Sequence, residues 1–307
     1  MDKTNHPLVS VFVVTYNAGE YICETLDSIK AQTYDNIELI VSDDYSSDET
    51  VSIANEWIAK NKERFVRTEV ITVDYNTGVS ANYNRAVKAC RGEWVKNVDG
   101  DDLLRDNCIE KNIDFIIRHP EASIVFSNAY IFKGSYSTNI IGECIPEARK
   151  FFFTLSAEEQ LKTLLKVNLL PSQTCFVKLD LLRAHPYNEN YFAIEDAPMW
   201  VYLTRDGEKI FYFDDITAYY RIGESATSGK KRFYSLAYVE SVMLFFWMEQ
   251  YPLIKRYKLH DAYSYNRKFL FVLDFATGFL KNRKNFFTDL FFRTVRWYVF
   301  KFSSYKL

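Results

Sequence analysis

The sequence predicts an α/β fold built on a mostly parallel, wound β-sheet, followed by a helical C-terminal extension. In the first hundred residues, apolar β-branched runs of strand length alternate with segments of helical periodicity. These runs are nearly continuous in apolar residues, as in strands that are covered on both faces. From Phe233 onward, apolar and aromatic residues recur only at helical spacing.

The composition fits a globular protein made of one large domain, or one domain with an appendage. The chain has 307 residues, of which 48% are hydrophobic and 25% charged. Its net charge of −2 gives no general attraction to nucleic acid. Five cysteines without metal-ligand spacing suit reduced thiols. Neither a signal peptide nor an apolar run of membrane-spanning length is apparent, so we expect a cytoplasmic protein.

The first half of the sheet is predicted from four apolar runs and the helices between them. The predicted strands are 9–15, 37–42, 69–73 and 94–98, and the predicted helices are 20–32, 46–61 and 79–90. Ser46 and Glu49 have the spacing of a capping box at the start of the second helix. Right-handed crossovers place the carboxyl ends of such strands on one edge of the sheet.

The second half is predicted with shorter elements and one irregular stretch. The predicted helices are 107–118 and 156–167, the predicted strands are 122–132, 173–177, 209–213 and 217–221, and residues 133–150 are expected to form a polar loop. The loop would lie over the edge where the first strands end.

Polar clusters follow three strands of the first half, at Thr15–Asn17, Asp43–Asp44 and Asp99–Asp102. Each cluster alone is also explained by a polar turn. Because ligands of wound sheets gather at the carboxyl ends of the strands, three clusters on one edge predict a ligand site. Clustered carboxylates suit Mg²⁺ or Mn²⁺. The chain has neither GxGxxG nor a Walker A loop, so a metal-neutralised diphosphate is the ligand that fits.

A second acidic stretch places Glu195 and Asp196 directly before an Ala-Pro dipeptide. Asp is favoured at helix caps and Pro in the first helical turn, so the start of a helix that runs to about Thr204 would also explain the pair. Capping and catalysis are compatible, because a cap fixes the direction of a carboxylate.

The order of four segments resembles the family 2 glycosyltransferases with a GT-A fold, of the type that makes bacterial polysaccharides and cell-surface glycans. The segments are Val11–Asn17, Ile37–Ser47, Asn76–Asn84 and Asp99–Asp102, and the resemblance extends over residues 8–228. It implies an inverting, metal-dependent enzyme that transfers a sugar from a nucleotide sugar, a UDP-sugar, to a hydroxyl group. The acceptor would be a glycan or a lipid-linked glycan.

The resemblance also implies roles for individual residues. Asp196 would be the general base, next to Glu195, and Asp101 with Asp99 would hold Mn²⁺ or Mg²⁺. The donor would be bound by Thr15, Tyr16, Asn17, Asp44, Gly78, Asn84, Asp99 and Arg221. Within this set, Tyr16 would stack on the base and Asp99 would meet the ribose.

Several of these positions have structural alternatives. Tyr16 would pack in the core, and Asn84 would be solvated on a helix face. Asp43 and Asp44 would cap the following helix, or one would cap it while the other binds the donor. Arg221 would contact the diphosphate or form a salt bridge within the fold.

The chain departs from the family pattern at two positions. Tyr83 stands where relatives often have Arg, and Gly223 where many have His. The third metal ligand is therefore water, Glu224 or none.

We divide the chain into a catalytic domain, 1–228, and a helical, aromatic and basic region, 229–307. Residues 1–105 would form the nucleotide-sugar half and 106–228 the acceptor half. A basic, aromatic amphipathic helix near the C-terminus can lie at an anionic membrane surface, which would make the protein peripheral at the inner face of the cell membrane. Packing against the catalytic domain or in a homodimer is the alternative.

Two other function classes remain open from the sequence alone. A non-catalytic glycan-binding or scaffold protein could retain the fold. A nucleotidyltransferase also uses carboxylate-held metal, but it normally has a basic, glycine-rich loop near its N-terminus, and residues 14–21 contain no basic side chain.

Overall fold

The computed structural model describes residues 6–134, 139–223 and 231–301. The strands are β1 (Val9–Thr15), β2 (Ile37–Asp43), β3 (Arg67–Ile71), β4 (Trp94–Asp99), β5 (Leu103–Leu104), β6 (Ile124–Phe132), β7 (Ile140–Glu143), β8 (Phe176–Lys178) and β9 (Ile210–Arg221). The helices are α1 (Ile22–Lys30), α2 (Thr50–Asn61), α3 (Val79–Ala89), α4 (Cys108–Arg118), α5 (Ala157–Leu164), α6 (Leu179–Ala184), α7 (Asp196–Arg205), α8 (Leu236–Phe245), α9 (Tyr251–Arg256), α10 (His260–Asp274) and α11 (Phe286–Phe300). In these ranges the strands form a single sheet in the order β3-β2-β1-β4-β8-β6-β9-β5, with β7 beside β6.

The first four strands in the chain form the parallel half of the sheet, as predicted. β1 pairs in parallel with β2 and β4, and β2 pairs in parallel with β3. All residues of β1 and β2 are buried, because both faces of this half are covered. Alternate side chains of β1 point to opposite faces, so that Phe12 lies in one apolar cluster and Val13 in the other.

The second half of the sheet is mixed. β8 lies antiparallel between β4 and β6, and β9 runs parallel to β6. The prediction of two separate strands at 209–213 and 217–221 is wrong, because β9 is continuous from Ile210 to Arg221. Its register against β6 shifts around Asp214 and Asp215, which interrupt the apolar pattern without ending the strand.

The predicted capping box at Ser46 and Glu49 is also wrong. Glu49 is the N-cap residue of α2 but makes no side-chain capping bond. Ser46 Oγ instead donates to Asp43 Oδ2 at 2.5 Å, within the turn that follows β2. The same residue spacing suits this side-chain-stabilised turn, so spacing alone could not distinguish the two structures. The polar loop predicted at 133–150 contains β7 and the start of a 3₁₀ segment, 147–154.

The C-terminal helices pack on the sheet domain. Val239 of α8 and Leu273 of α10 share an apolar cluster with Phe126 of β6, and Phe292 of α11 packs against Phe233. In the described ranges, no helix has the length and apolarity that a membrane span requires. Glu224, the alternative metal ligand, and residues 302–307 of the predicted helical region lie outside the described residues.

Candidate active site

The three polar clusters lie together at one edge of the sheet. Thr15 at the end of β1 pairs with Asp43, and the preceding residue, Val14, pairs with Asp99. Gly100 lies against β1 so closely that a Cβ there would be 2.8 Å from Thr15 Oγ1. Glycine therefore allows residues 99–102, which we call the acidic turn, to approach β1. Thr15 Oγ1 is buried and has no hydrogen-bond partner among the described residues, so this polar atom at the sheet edge is unsatisfied.

The segment after β1 is fixed in place by the segment after β2. Asn17 has φ of 53° and its Oδ1 accepts a hydrogen bond from Ser47 N at 2.8 Å. Asn tolerates this left-handed backbone better than most residues. Tyr16 beside it is 51% exposed, so it is not a core residue and its ring is available for stacking.

Asp44 is buried and organises the loop before α3. Its carboxylate accepts hydrogen bonds from Thr77 N at 3.1 Å and Gly78 N at 2.8 Å, and it forms an ion pair with Arg85 at 2.7 Å. It therefore does not cap α2, which was the structural alternative. Gly78 has φ of 91°, and a Cβ there would be 2.7 Å from the Phe192 ring. A direct contact between Asp44 and a nucleotide base remains a prediction.

Asn84 connects α3 to the loop that leads to the second acidic stretch. Asn84 Nδ2 donates to Tyr187 O at 2.9 Å, and Asn84 Oδ1 accepts from Tyr187 N at 2.9 Å. Ser80 Oγ donates to Tyr191 O at 2.8 Å, and Val79 N donates to Phe192 O at 2.9 Å. The solvated alternative for Asn84 is thus excluded. In this structure Asn84 positions the loop that carries the acidic pair, while its donor contact is untested.

Tyr83 is a site residue that sequence reasoning noted only as a departure from the family pattern. Its hydroxyl donates to Asp99 Oδ1 at 3.0 Å and accepts from Asn97 Nδ2 at 3.3 Å. The ring packs edge-on against Phe12 at 5.3 Å between centroids. Tyr83 thus fixes one oxygen of Asp99 from within the core. Its position in α3, facing the end of β4, could not be read from its residue type.

The acidic turn concentrates negative charge in a place that water reaches poorly. Burial, followed by the charge of Asp101, raises the pKa of Asp99 to about 7. Burial also raises the pKa of Asp102 well above its ordinary value, with further contributions from Asp99 and Asp101. Asp102 Oδ1 accepts from Arg221 N at 2.8 Å, whereas its Oδ2 is buried and has no hydrogen-bond partner in the described part of the chain.

Asp99 and Asp101 fit a hard divalent cation. In the described part of the chain, no group of three or more His, Cys, Asp or Glu side chains is arranged to hold a metal. Mg²⁺ is nevertheless commonly held by one or two carboxylates together with substrate phosphates and water. The repulsion that Asp101 exerts on Asp99 is the kind that a bound cation relieves. These two carboxylates would therefore need oxygen ligands from a bound diphosphate to complete the site.

Arg221 forms the salt bridge that was the alternative to a diphosphate contact. Its guanidinium pairs with Glu24 at 2.5 Å and donates to Gly134 O at 2.7 Å and to Asp101 O at 2.8 Å. It also lies 4.4 Å from the centroid of the Tyr21 ring. A diphosphate contact would require Arg221 to exchange one of these partners, and that contact remains a prediction.

The second acidic stretch lies at the N-terminus of α7. Glu195 is the N-cap residue without a side-chain capping bond, and Asp196 is the first helical residue. Asp196 Oδ1 accepts from Ala197 N at 2.6 Å, and Oδ2 accepts from Asn168 Nδ2 at 2.8 Å. Burial raises the pKa of Asp196, while these two hydrogen bonds oppose the shift. Asn168 carried no recognisable signal in the sequence.

The carboxylates of the two acidic regions interact electrostatically. Negative charge on Asp196 raises the pKa of Asp99, and negative charge on Asp99 raises that of Glu195. Such coupling requires the carboxylates to be near one another in a region of weak solvent screening. Helix α3 contacts both regions, since Tyr83 donates to Asp99 and Ser80 Oγ donates to Ile194 O at 3.2 Å. The edge of the parallel sheet and the start of α7 are therefore neighbours, and we call the polar region between them the cleft.

Sequence and structure comparisons agree on the kind of protein that carries this cleft. A family model described as Glycosyl transferase family 2 matches residues 10–168. Over 224 residues the chain is 28% identical to an Escherichia coli protein named UDP-Glc:alpha-D-GlcNAc-diphosphoundecaprenol beta-1,3-glucosyltransferase WfaP, covering 73% of this chain and 81% of that one.

The fold also resembles solved structures. A Staphylococcus aureus TarS fragment in complex with UDP-GlcNAc matches with a TM-score of 0.55 and 22% identity, covering 77% of this chain and 64% of that one. The mannosyltransferase PcManGT from Pyrobaculum calidifontis, in complex with GDP-Man and Mn²⁺, matches with a TM-score of 0.56 and 17% identity, covering 96% and 71%. These likenesses confirm the predicted GT-A fold. Since the family model matches just over half of the chain, this protein belongs to glycosyl transferase family 2 and is a glycosyltransferase.

Proposed function

We propose that this chain is an inverting, metal-dependent glycosyltransferase that moves a sugar from a UDP-sugar to a hydroxyl of a glycan or lipid-linked glycan. The observation that carries the proposal is that α3 contacts both acidic regions, since Tyr83 donates to Asp99 Oδ1 and Ser80 donates to the carbonyl oxygen of Ile194, next to Glu195. It puts a candidate base beside a candidate donor site, as direct displacement at a sugar carbon requires.

Asp196 is the proposed general base. It would accept the proton of the acceptor hydroxyl as that oxygen attacks the anomeric carbon and the bond to the diphosphate breaks. An ordinary Asp is a weak base, and a raised pKa brings it closer to the pH at which it must act. Hydrogen bonds from Ala197 N and Asn168 hold the carboxylate in a fixed direction.

Asp101 and Asp99 are the proposed ligands of Mn²⁺ or Mg²⁺. The bound cation would supply Lewis-acid stabilisation of the negative charge on the departing diphosphate. Tyr83 would keep one oxygen of Asp99 occupied, so that the other oxygen faces the donor. Tyr16 would stack on the base, and Thr15, Asn17, Asp44 and Gly78 would shape the nucleotide pocket.

The compared proteins support the donor class. WfaP is named for UDP-Glc, and the TarS fragment was solved with UDP-GlcNAc. PcManGT, in contrast, was solved with GDP-Man and Mn²⁺, so GDP-sugars are the main alternative donors.

We include in the proposal the division into a catalytic domain, 1–228, and a helical region, 229–307. The helical region would contact the membrane surface, which would make the enzyme peripheral at the inner face of the cell membrane. The enzyme would act there in polysaccharide synthesis. A homodimer that covers the same helices is the alternative. A scaffold or nucleotidyltransferase function is less well supported. Neither function explains why the acidic pair at the start of α7 lies near the carboxylates of Asp99 and Asp101.

Calorimetric titration with UDP, GDP and CMP, each with and without Mn²⁺, tests the donor site. We expect UDP to bind, with higher affinity when Mn²⁺ is present. Preferential binding of GDP would contradict the UDP assignment and retain the mechanism. Absence of nucleotide binding by folded protein would favour the scaffold alternative.

A pH profile tests Asp196 as the base. Asn168→Ala removes a hydrogen bond that lowers the pKa of Asp196, so the pKa should rise further. The base acts when ionised, so activity falls as pH decreases through this pKa. We therefore expect the acidic limb of kcat/KM to move to higher pH in the variant, as measured by initial rates across a pH series.

The control for this experiment is Asn190→Ala, which removes an exposed amide bonded to Asn188. Other titratable groups coupled to Asp196 are Glu195, Asp99, Tyr187 and Tyr238. They are the same in both variants, so a difference between the two profiles reports on the Asn168 bond. An unchanged acidic limb in Asn168→Ala would exclude Asp196 as the group that sets it.

A further inference from the structure

Helix α11 turns a wide apolar face to solvent. Phe286 and Phe287 are 77% and 79% exposed, and the helix packs on the protein through Phe292. The exposed residues of this face, which we call the aromatic face, are Phe286, Phe287, Leu290, Phe291, Trp297 and Tyr298. Their spacing puts them along one side of the helix. Contiguous exposed apolar surface of this kind marks a docking site.

The aromatic face continues onto the end of α10 and the π-helical turn that follows it, Phe275–Phe279. The Phe279 ring, 69% exposed, lies 6.4 Å from Phe291 between centroids, and Phe275 lies 5.6 Å from Phe291. Phe271, 52% exposed, lies 6.3 Å from Phe275. The surface therefore extends across two helices rather than along one.

A basic cavity lies beside this face, between α11 and the segment that precedes α8. Its volume is about 440 Å³, and Lys284, Arg293 and Arg296 line it. Asp289 also lines the cavity and pairs with Arg293 at 2.8 Å, which offsets one of the three positive charges. Tyr234 contributes an aromatic wall. A cavity of this size and charge suits a phosphate or diphosphate group.

Helix α8 connects the basic cavity to the loop that leads to Asp196. Tyr234 in the cavity wall stacks on Tyr238 at 5.9 Å between centroids. Ser241, on the same helix, accepts a hydrogen bond at 3.2 Å from Ala193 N, three residues before Asp196. From Leu236, the first residue of α8, to Ser241 the helix advances five residues, which corresponds to roughly 7.5 Å along an α-helix. Burial raises the pKa of Tyr238, and the charge of Asp196 contributes to this shift.

We propose that the basic cavity binds the phosphate groups of a lipid-linked sugar acceptor, while the aromatic face rests in the membrane surface that carries the lipid. This inference rests on the proposed function and specifies its acceptor class. The acceptor sugar would extend along α8 from the cavity to Asp196, and its hydroxyl would lie next to the Asp196 carboxylate. The lipid chain would leave the cavity on the side of the aromatic face.

The charges favour a lipid over a second copy of this chain as the occupant. Basic side chains next to exposed Trp, Tyr and Phe match the anionic headgroups and apolar interior of a membrane surface. The chain has a net charge of −2, whereas three basic side chains and one acidic side chain line the cavity. Self-association would instead bring the same basic cavity and its like charges close together.

Vesicle co-sedimentation of the full chain tests the inference. The vesicles are phosphatidylcholine alone, phosphatidylcholine with phosphatidylglycerol, and phosphatidylcholine with a polyprenyl diphosphate matched in charge to the second set. We expect the tightest binding to the polyprenyl diphosphate vesicles. Lys284→Gln with Arg296→Gln should weaken that binding roughly 30-fold, since each basic residue near an anionic surface contributes about a factor of five.

The matched control is Lys60→Gln with Lys62→Gln at the end of α2, which removes the same charge from exposed positions. It should bind all vesicles as the unchanged chain does. Equal binding by the Lys284/Arg296 double variant would overturn the proposal. Equal binding to phosphatidylglycerol and polyprenyl diphosphate vesicles would overturn the acceptor assignment, and so would equally tight binding of soluble inorganic diphosphate.

A dimer in solution that fails to bind vesicles would assign the aromatic face to self-association and overturn the lipid contact. Calorimetry with UDP on the same proteins separates this inference from the proposed function. The Lys284/Arg296 double variant should retain the donor affinity of the unchanged chain. If the unchanged chain does not bind UDP, the proposed function is refuted. The vesicle experiment would still test the lipid site in that case.

Discussion

Replacing Asp196 by Asn should reduce kcat by about a thousandfold and leave the affinity for the nucleotide sugar unchanged. Asn is nearly isosteric with Asp, and its Oδ1 can still accept the hydrogen bond from Ala197 N. The variant therefore keeps the start of α7 while it loses the group that accepts the proton. Single-turnover sugar transfer and calorimetric donor binding, measured on the same preparation, would separate these two effects.

Asp180→Asn provides the matched control for this prediction. Asp180 also lies in the first turn of a helix, α6, so the same chemical change is made in a similar setting, but its side chain is 97% exposed. We expect full activity from this variant. Transfer by Asp196→Asn at a rate close to that of Asp180→Asn would remove Asp196 from the mechanism and direct attention to Glu195.

The sequence predicted the polar edge of the sheet better than the contacts within the site. Apolar runs ending in acids predicted where Thr15, Asp44 and Asp99 lie, because parallel strands bring their carboxyl ends to one edge. What each side chain contacts there depends on helix packing. Arg221 pairs with Glu24, 197 residues away in the chain, and no local pattern encodes such a partner.

Local sequence also could not predict the two residues that orient the acidic side chains. Tyr83 reaches Asp99 because α3 packs on β1 and β2, and Asn168 reaches Asp196 from the segment after α5. An Asn in a loop and a Tyr in a helix are ordinary residues, so residue type gave no signal. Tertiary packing brings each of them to its carboxylate.

Replacing Asp101 by Ala should weaken nucleotide binding roughly a hundredfold when Mn²⁺ is present and change it little when Mn²⁺ is absent. Asp101 is partly exposed, and no hydrogen bond to another residue's side chain ties its carboxylate in the described structure. Removal of the carboxylate should therefore leave the fold intact. Calorimetric titration with UDP, with and without the ion, measures the difference.

Asp106→Ala, which removes an exposed carboxylate five residues further along the chain, is the control and should bind as the unchanged chain does. An Asp101→Ala protein that retains the Mn²⁺-dependent gain in affinity would show that the ion lies elsewhere. The Asp101 and Asp196 variants should also fail in opposite ways. Loss of Asp101 should impair donor binding, and loss of Asp196 should impair transfer from a donor that still binds. This contrast follows from a cleft whose two walls are built separately, one from the edge of the parallel sheet and the other from the start of α7.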